Sequence, residues 1–141
     1  MEPYKGAKER PLCVKGDVMA ELVVVFGNKR EDRALKLIAP YTRAVRLNEI
    51  HEFIITDEEN VRPGSTANRV AYLFYAEIKR GGAIMFGDKV VIGDRVVGEV
   101  VGFDETHMPN HINVILHSRD FKSGLEWGLS VGQQMVITDK V

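Results

Sequence analysis

Two of the chain's 4 histidines, His107 and His111, sit in the run Asp104-Glu105-Thr106-His107-Met108-Pro109-Asn110-His111, which crowds more acid-base and metal-capable groups into one loop than any other stretch of its 141 residues. Two imidazoles with one carboxylate, here Asp104 or Glu105, are the minimum for a catalytic zinc or iron site. Pro109 can fold the loop and bring the two rings together. His117 cannot join them, because six residues of extended chain span roughly 20 Å. A cupin-like site would draw ligands from several strands, and histidines in such positions are too few. The plainer reading is that a loop between strands is polar because it is wet. Beyond the loop, alternation puts Ile112, Val114 and Leu116 on one face of a strand and His111, Asn113, Ile115 and His117 on the other. His107, Asn110, His111, Asn113 and His117 therefore form the candidate ligand-binding set.

A second polar group is Ser65, Thr66 and Asn68 between Arg62 and Arg69. Backbone amides in a glycine-containing turn beside arginines suit an anion. The spacing lacks the lysine of a phosphate-binding loop, and Ser65 has no oriented base in sequence, so turn chemistry is the better account. Cys13 is the single cysteine, which rules out an intrachain disulfide and fits a reducing compartment.

The elements that must hold these residues read as strands. Ile84-Met85-Phe86-Gly87-Asp88-Lys89-Val90-Val91-Ile92 and Leu129-Ser130-Val131-Gly132-Gln133-Gln134-Met135-Val136-Ile137 repeat one pattern, a glycine suited to a tight turn followed by an apolar strand. Gly93-Asp94 predicts a two-residue hairpin, with Val91 opposite Val96 and Val90 opposite Val97. Glycines at 82, 87, 93, 98 and 102 mark turns, bulges or close approaches that let a sheet curl. The alternating segment from Arg69 to Ile78 predicts a strand covered on both sides, and Tyr41, Tyr72 and Tyr75 read as core or rim packing. Trp127 is placed to close one end. From Pro11 to Phe26 the pattern predicts two strands around Lys15-Gly16-Asp17, the second ending in Leu22-Val23-Val24-Val25-Phe26 and buried on both faces. After Asn28, the residues Ala34, Leu35, Leu37 and Ile38 share a helical face, which predicts one short amphipathic helix ended by Pro40.

The expected architecture is mainly β, a small closed or nearly closed β-barrel with one short amphipathic helix, over residues 11–141, preceded by a flexible arm over residues 1–10. A net charge of −1 sets up no field for phosphate backbones or anionic lipid, so neither nucleic acid nor membrane is an expected partner. The first residues lack the apolar core of a signal peptide and no apolar run approaches a bilayer span, so a cytoplasmic location is expected. Barrels with exposed apolar edges often pair by symmetry, which predicts a homo-oligomer.

Gly82-Ala83-Ile84, Gly87, Ile92-Gly93, Val101-Gly102, Asn110-His111 and Val131-Gly132, with Leu22 to Phe26 near the start, together resemble the glucitol/sorbitol-specific IIA component of the phosphoenolpyruvate sugar phosphotransferase system. The resemblance covers about half of the chain. It implies a β-barrel, and a family activity of accepting a phosphoryl group on histidine and passing it toward a sugar. Aligned without a gap, the acceptor position falls near Ala76 or Glu77 and no acceptor exists. If Glu52 to Arg80 is an insertion, Ile50-His51 takes the role. Glu49 and Glu52 would repel an incoming phosphoryl group, which favours the first placement; His111 matches a second family histidine.

With polar side chains at one end and no base-nucleophile pair, the chain reads first as a non-catalytic barrel that binds a small molecule or a protein partner, with no cofactor. The alternatives are a phosphocarrier acting through His51 and a metal-binding barrel using His107 and His111 with Asp104 or Glu105.

Overall fold

The computed structural model describes residues 12–141, so the expected arm and Pro11 lie outside the described residues. The strands are β1 (Val18–Val25), β2 (Lys29–Arg30), β3 (Leu35–Lys36), β4 (Thr42–Val45), β5 (Ile50–Thr56), β6 (Thr66–Ala67), β7 (Val70–Arg80), β8 (Gly82–Met85), β9 (Lys89–Ile92), β10 (Arg95–Asp104), β11 (Asn113–His117) and β12 (Gln134–Thr138). Seven of them form a ring of pairings, β1-β12-β9-β10-β11-β5-β7 and back to β1. β2 adds to the start of β7, while β3 with β6 and β4 with β8 make two short ribbons. Among the described strands β11 and β5 pair in parallel and the other pairings are antiparallel.

The repeated pattern becomes two adjacent strands. Gly87 and Gly132 take φ of +91° and +95°, and the strands that follow them pair Ile92 with Met135, Val91 with Val136 and Val90 with Ile137. A side chain at either glycine would meet left-handed backbone strain, which explains why both copies carry glycine there. The hairpin also forms at Gly93, with Val91 opposite Val96. The expected pair of Val90 with Val97 does not: a bulge between Val96 and Gly98 sets Val90 against Gly98. A Cβ on Gly98 would lie 2.9 Å from the Leu116 Cβ, so the bulge brings β10 close against β11.

The expected helix is absent. Leu35 and Leu37 are buried two residues apart, the spacing of extended chain, and Ala34 has φ of 52°. Backbone N–H groups of Arg33, Leu37 and Ile38 donate to carbonyls of Asn68, Ser65 and Phe103, at 2.9, 3.0 and 2.8 Å. Bonds to distant segments replace the local ladder a helix requires. β1 is also not covered on both faces: Val18, Ala20 and Leu22 are buried, but Val24 is 38% exposed. The first of the two expected strands is missing over the described residues before Val18, where Leu12 and Val14 are exposed.

The main core gathers one face of the ring strands, including Leu22, Phe53, Phe74, Phe103, Val114 and Leu116, and Trp127 is part of it. Ile54 and Ile115 face the other way into a second cluster with Leu35, Leu37 and Val70. β5 and β11 are therefore sandwiched, which makes any polar side chain on them a buried one. Among the described residues no helix is long and apolar enough to cross a membrane.

Candidate functional site

The parallel pairing of β5 with β11 sets Glu52 opposite Asn113 and delivers His51 and Glu52 to the start of β11. The N–H of Glu52 donates to the carbonyl of Ile112 at 3.1 Å, and the N–H of Ile112 donates to His51 Nδ1 at 3.1 Å. A ring nitrogen that accepts carries no proton, so the neutral His51 holds its proton on Nε2, which lies 3.1 Å from Glu49 Oε1. The Arg46 N–H on Glu49 holds that carboxyl below its ordinary value, keeping it an anion that receives the bond. Both His51 nitrogens are thus engaged and the side chain is buried.

His111 sits one layer further out. Its ring meets Tyr75 edge-on at 5.0 Å and stacks on His107 at 5.1 Å between centroids. Asn110 Nδ2 donates to His111 Nδ1 at 2.8 Å, which leaves the proton on Nε2. That Nε2 is buried and makes no well-formed hydrogen bond; Glu52 Oε1 is 3.4 Å away. Asn113 Oδ1 is likewise buried without a partner. Burial pushes the Glu52 carboxyl up to about 7, against a downward pull from Arg33 and with a further push from Asp104. Burial also lowers His111, helped by His107 and His51 and opposed by the Asn113 side chain and the Asp104 charge. Burial and the Glu52 charge raise Tyr75. A raised carboxyl beside a lowered imidazole means that burial favours the uncharged form of both, which makes this pair a candidate site.

Above His111 opens a cavity of about 430 Å³ lined by Val23, Val24, Asn48, Ile50, Tyr75, Asn110 and His111. Val24 and Ile50, 38% and 44% exposed, give it an apolar rim, and Asn48 turns its corner with φ of 75°. Amides and an imidazole at the floor against valine and isoleucine at the wall suit a small amphipathic molecule.

A family model described as "Family of unknown function (DUF6917)" matches residues 12–138. The chain belongs to that family. No curated protein and no solved structure matches it. In this DUF6917 chain the candidate set from the sequence divides. Asn110 and His111 line the cavity and His107 stacks behind them. Asn113 is fully buried one layer below, donating to Asp104 Oδ1 at 3.0 Å. His117 stands at the far end of β11, 2.8 Å from Glu59 Oε2.

The rings of His107 and His111 do meet, but their proposed carboxylate partners are turned elsewhere. Asp104 accepts from the Thr106 N–H and hydroxyl and from Asn113, and Glu105 binds Arg43 at 2.8 Å. Among the described residues no group of three or more His, Cys, Asp or Glu is gathered to hold a metal ion. The anion cradle also dissolves: the Ser65 hydroxyl donates to the Arg62 carbonyl, and Arg69 is paired with Asp57 and Glu31. Glu52, Tyr75, Val23, Val24, Asn48 and Ile50 were outside the candidate ligand-binding set. The one local signal for Glu52 is a carboxylate flanked by Phe53-Ile54-Ile55 in a strand, where only a partnered or functional charge is expected.

Proposed function

We propose that the chain is a binding protein for a small amphipathic molecule, held in the cavity between β1, β7 and the loop that leads into β11. The observation that carries this reading is the cavity itself, where Val23, Val24 and Ile50 face Asn48, Asn110 and His111 around the Tyr75 ring. An apolar wall supplies affinity and a few convergent polar groups supply orientation, which is the composition of a small-molecule site. His107 serves by stacking on His111, and Asn113 by holding the Asp104 layer beneath it. In this reading the ring of strands is a nearly closed barrel and the cavity opens on its outer face, where Tyr75 of β7 stands in register with Val24 of β1 on the side away from Phe53 and Phe74 in the core. A cytoplasmic setting is consistent with the single cysteine, and a homo-oligomer is expected from symmetric pairing of exposed apolar edges.

The phosphocarrier reading finds no comparable support, since both ring nitrogens of His51 are held. The test is ligand-observed NMR with a set of small aliphatic alcohols, acids, amines and sugars, repeated on Val24→Trp, which fills the mouth. Binding that shifts Asn110 and His111 resonances and is lost in Val24→Trp supports the reading. Binding unaffected by Val24→Trp, or none from the whole set, sinks it.

A further inference from the structure

Resting on the pocket reading above, we propose that the ligand is a small organic monoanion, a carboxylate with an apolar tail, and that His111 takes up a proton as it binds, presenting Nδ1–H to the ligand and Nε2–H to Glu52. The geometry assigns the two nitrogens separate jobs. Nδ1 lies on the side of Asn110, which with His111 lines the cavity, and it already accepts a bond from Asn110 Nδ2. Nε2 is buried beside Glu52 Oε1 at 3.4 Å with no well-formed bond. An imidazolium between two carboxylates satisfies both nitrogens at once, and Asn110 Nδ2, released from Nδ1, becomes a second donor to the ligand. Glu52 does not line the cavity, so a bound cation would not reach it directly. The charge of Glu52 acts on the cavity through the His111 ring, which makes the site a receiver of anions. Val23, Val24 and Ile50 take the tail.

The proton balance follows from the groups around the pair. His51 and Glu52 face His111 from β5, Tyr75 from β7, Asp104 from the end of β10, His107 and Asn110 from the loop and Asn113 from β11, while Arg33 acts on Glu52. Where the Glu52 carboxyl is protonated, ligand binding moves that proton across to His111 and solvent supplies none. Where it is ionised, one proton comes from solvent. No other covalent bond is made or broken. Since burial sets Glu52 at about 7, uptake passes from none at lower pH toward one proton per ligand above it.

The test titrates hexanoate, 1-hexanol and hexylamine into the protein, following Asn110 and His111 resonances by NMR across the pH range. Hexanoate is expected to bind more tightly than the alcohol or the amine. Its Kd is expected to stay level below about pH 6.5 and to weaken by about tenfold per pH unit above about pH 8, the slope of one proton. Glu52→Gln, which keeps the shape of the side chain, is expected to weaken hexanoate by about tenfold at neutral pH, the loss of a charge-assisted bond, and to weaken 1-hexanol by less; equal weakening of the two overturns the proposal. Hexanoate binding with a Kd that does not change between about pH 7 and 8.5, or equal binding of 1-hexanol or hexylamine, overturns the proposal and leaves the pocket reading standing. If none of the three shifts Asn110 and His111, both fall.

Discussion

The backbone N–H of Ile112 donates to Nδ1 of His51 at 3.1 Å, continuing the parallel ladder of β5 and β11 one step past its last backbone bond by means of a side chain. His51 is thereby a structural residue as placed: it completes the start of the β5–β11 pairing that holds Glu52 beside His111, and His111 lines the cavity. The same bond fixes its tautomer and, with Glu49 on Nε2, occupies the second nitrogen.

A phosphoryl acceptor needs a free ring nitrogen, so the chain is expected to gain no phosphoryl mass when incubated with phosphoenolpyruvate and the general phosphotransferase proteins. Mass spectrometry reads this directly, with a competent IIA component as control. His51→Ala instead leaves the Ile112 N–H buried and unpaired, and should lower unfolding stability by about 1–3 kcal/mol in urea titration. A phosphorylated product lost in His51→Ala would reverse this assignment.

Glu52 imposes a pH dependence on stability. Its folded value of about 7 stands above the ordinary 4.5, so the folded state holds more protons than the unfolded between those values. Stability from this group is complete below the unfolded value and is lost as pH rises through 7. His111 runs the other way, since its lowered value makes the folded state resist protonation below its ordinary 6.5. The difference between wild type and Glu52→Gln isolates the first effect: the variant should be more stable at pH 8 by on the order of 1–3 kcal/mol, and the gain should vanish toward pH 5. A pH-independent difference would show that Glu52 does not titrate in this window.

What could be read locally in the sequence is what depends on short-range geometry. The Gly93-Asp94 hairpin and the two glycine-strand copies follow from turn chemistry and a period of two, and both form. The proximity of His107 to His111 follows from four residues and a proline. The helix from Asn28 failed because Ala34, Leu35, Leu37 and Ile38 fit two periods, and the choice was made by carbonyls of Ser65, Asn68 and Phe103 that no local pattern encodes. The bulge at Val97 is set by how closely Gly98 can approach Leu116 across a strand boundary. The site suffers most from this limit. Glu52, Tyr75 and Val24 reach His111 only through the ring closure of β1 on β7 and the parallel pairing of β5 with β11, contacts made between distant parts of the chain.

The turn that opens β9 is pinned by an ion pair with little access to solvent. Lys15 Nζ lies 2.9 Å from Asp88 Oδ2, with side chains 8% and 0% exposed, and the same oxygen accepts the Met85 N–H at 2.8 Å. Removing the cation leaves a buried carboxylate with less compensation, so Lys15→Met should destabilise by about 3–5 kcal/mol. The double variant Lys15→Met with Asp88→Asn should recover part of that loss. Chemical denaturation of the wild type, both single variants and the double variant closes the cycle, and an unchanged Lys15→Met variant would show that the pair contributes nothing net.

Gly124 tests how the segment before Trp127 is held against the ring. Its N–H donates to the Tyr72 carbonyl at 3.0 Å and the Leu125 N–H to Phe26 at 2.9 Å, so this backbone lies directly on β7 and the end of β1. A Cβ at Gly124 would collide with the Leu73 carbonyl oxygen, a backbone atom, and with Val25 Cγ1 at 2.9 Å. At Gly27 the added carbon would meet Leu125 Cδ1 at 2.7 Å, but that is the end of an exposed, movable side chain. The physical difference is what must give way. Gly124→Ala should therefore lose on the order of 3 kcal/mol or more and release Trp127, seen as a shift in its fluorescence, while Gly27→Ala should lose under about 1 kcal/mol. Equal losses in the two variants would mean that the segment can retreat from β7 and does not close the end of the ring.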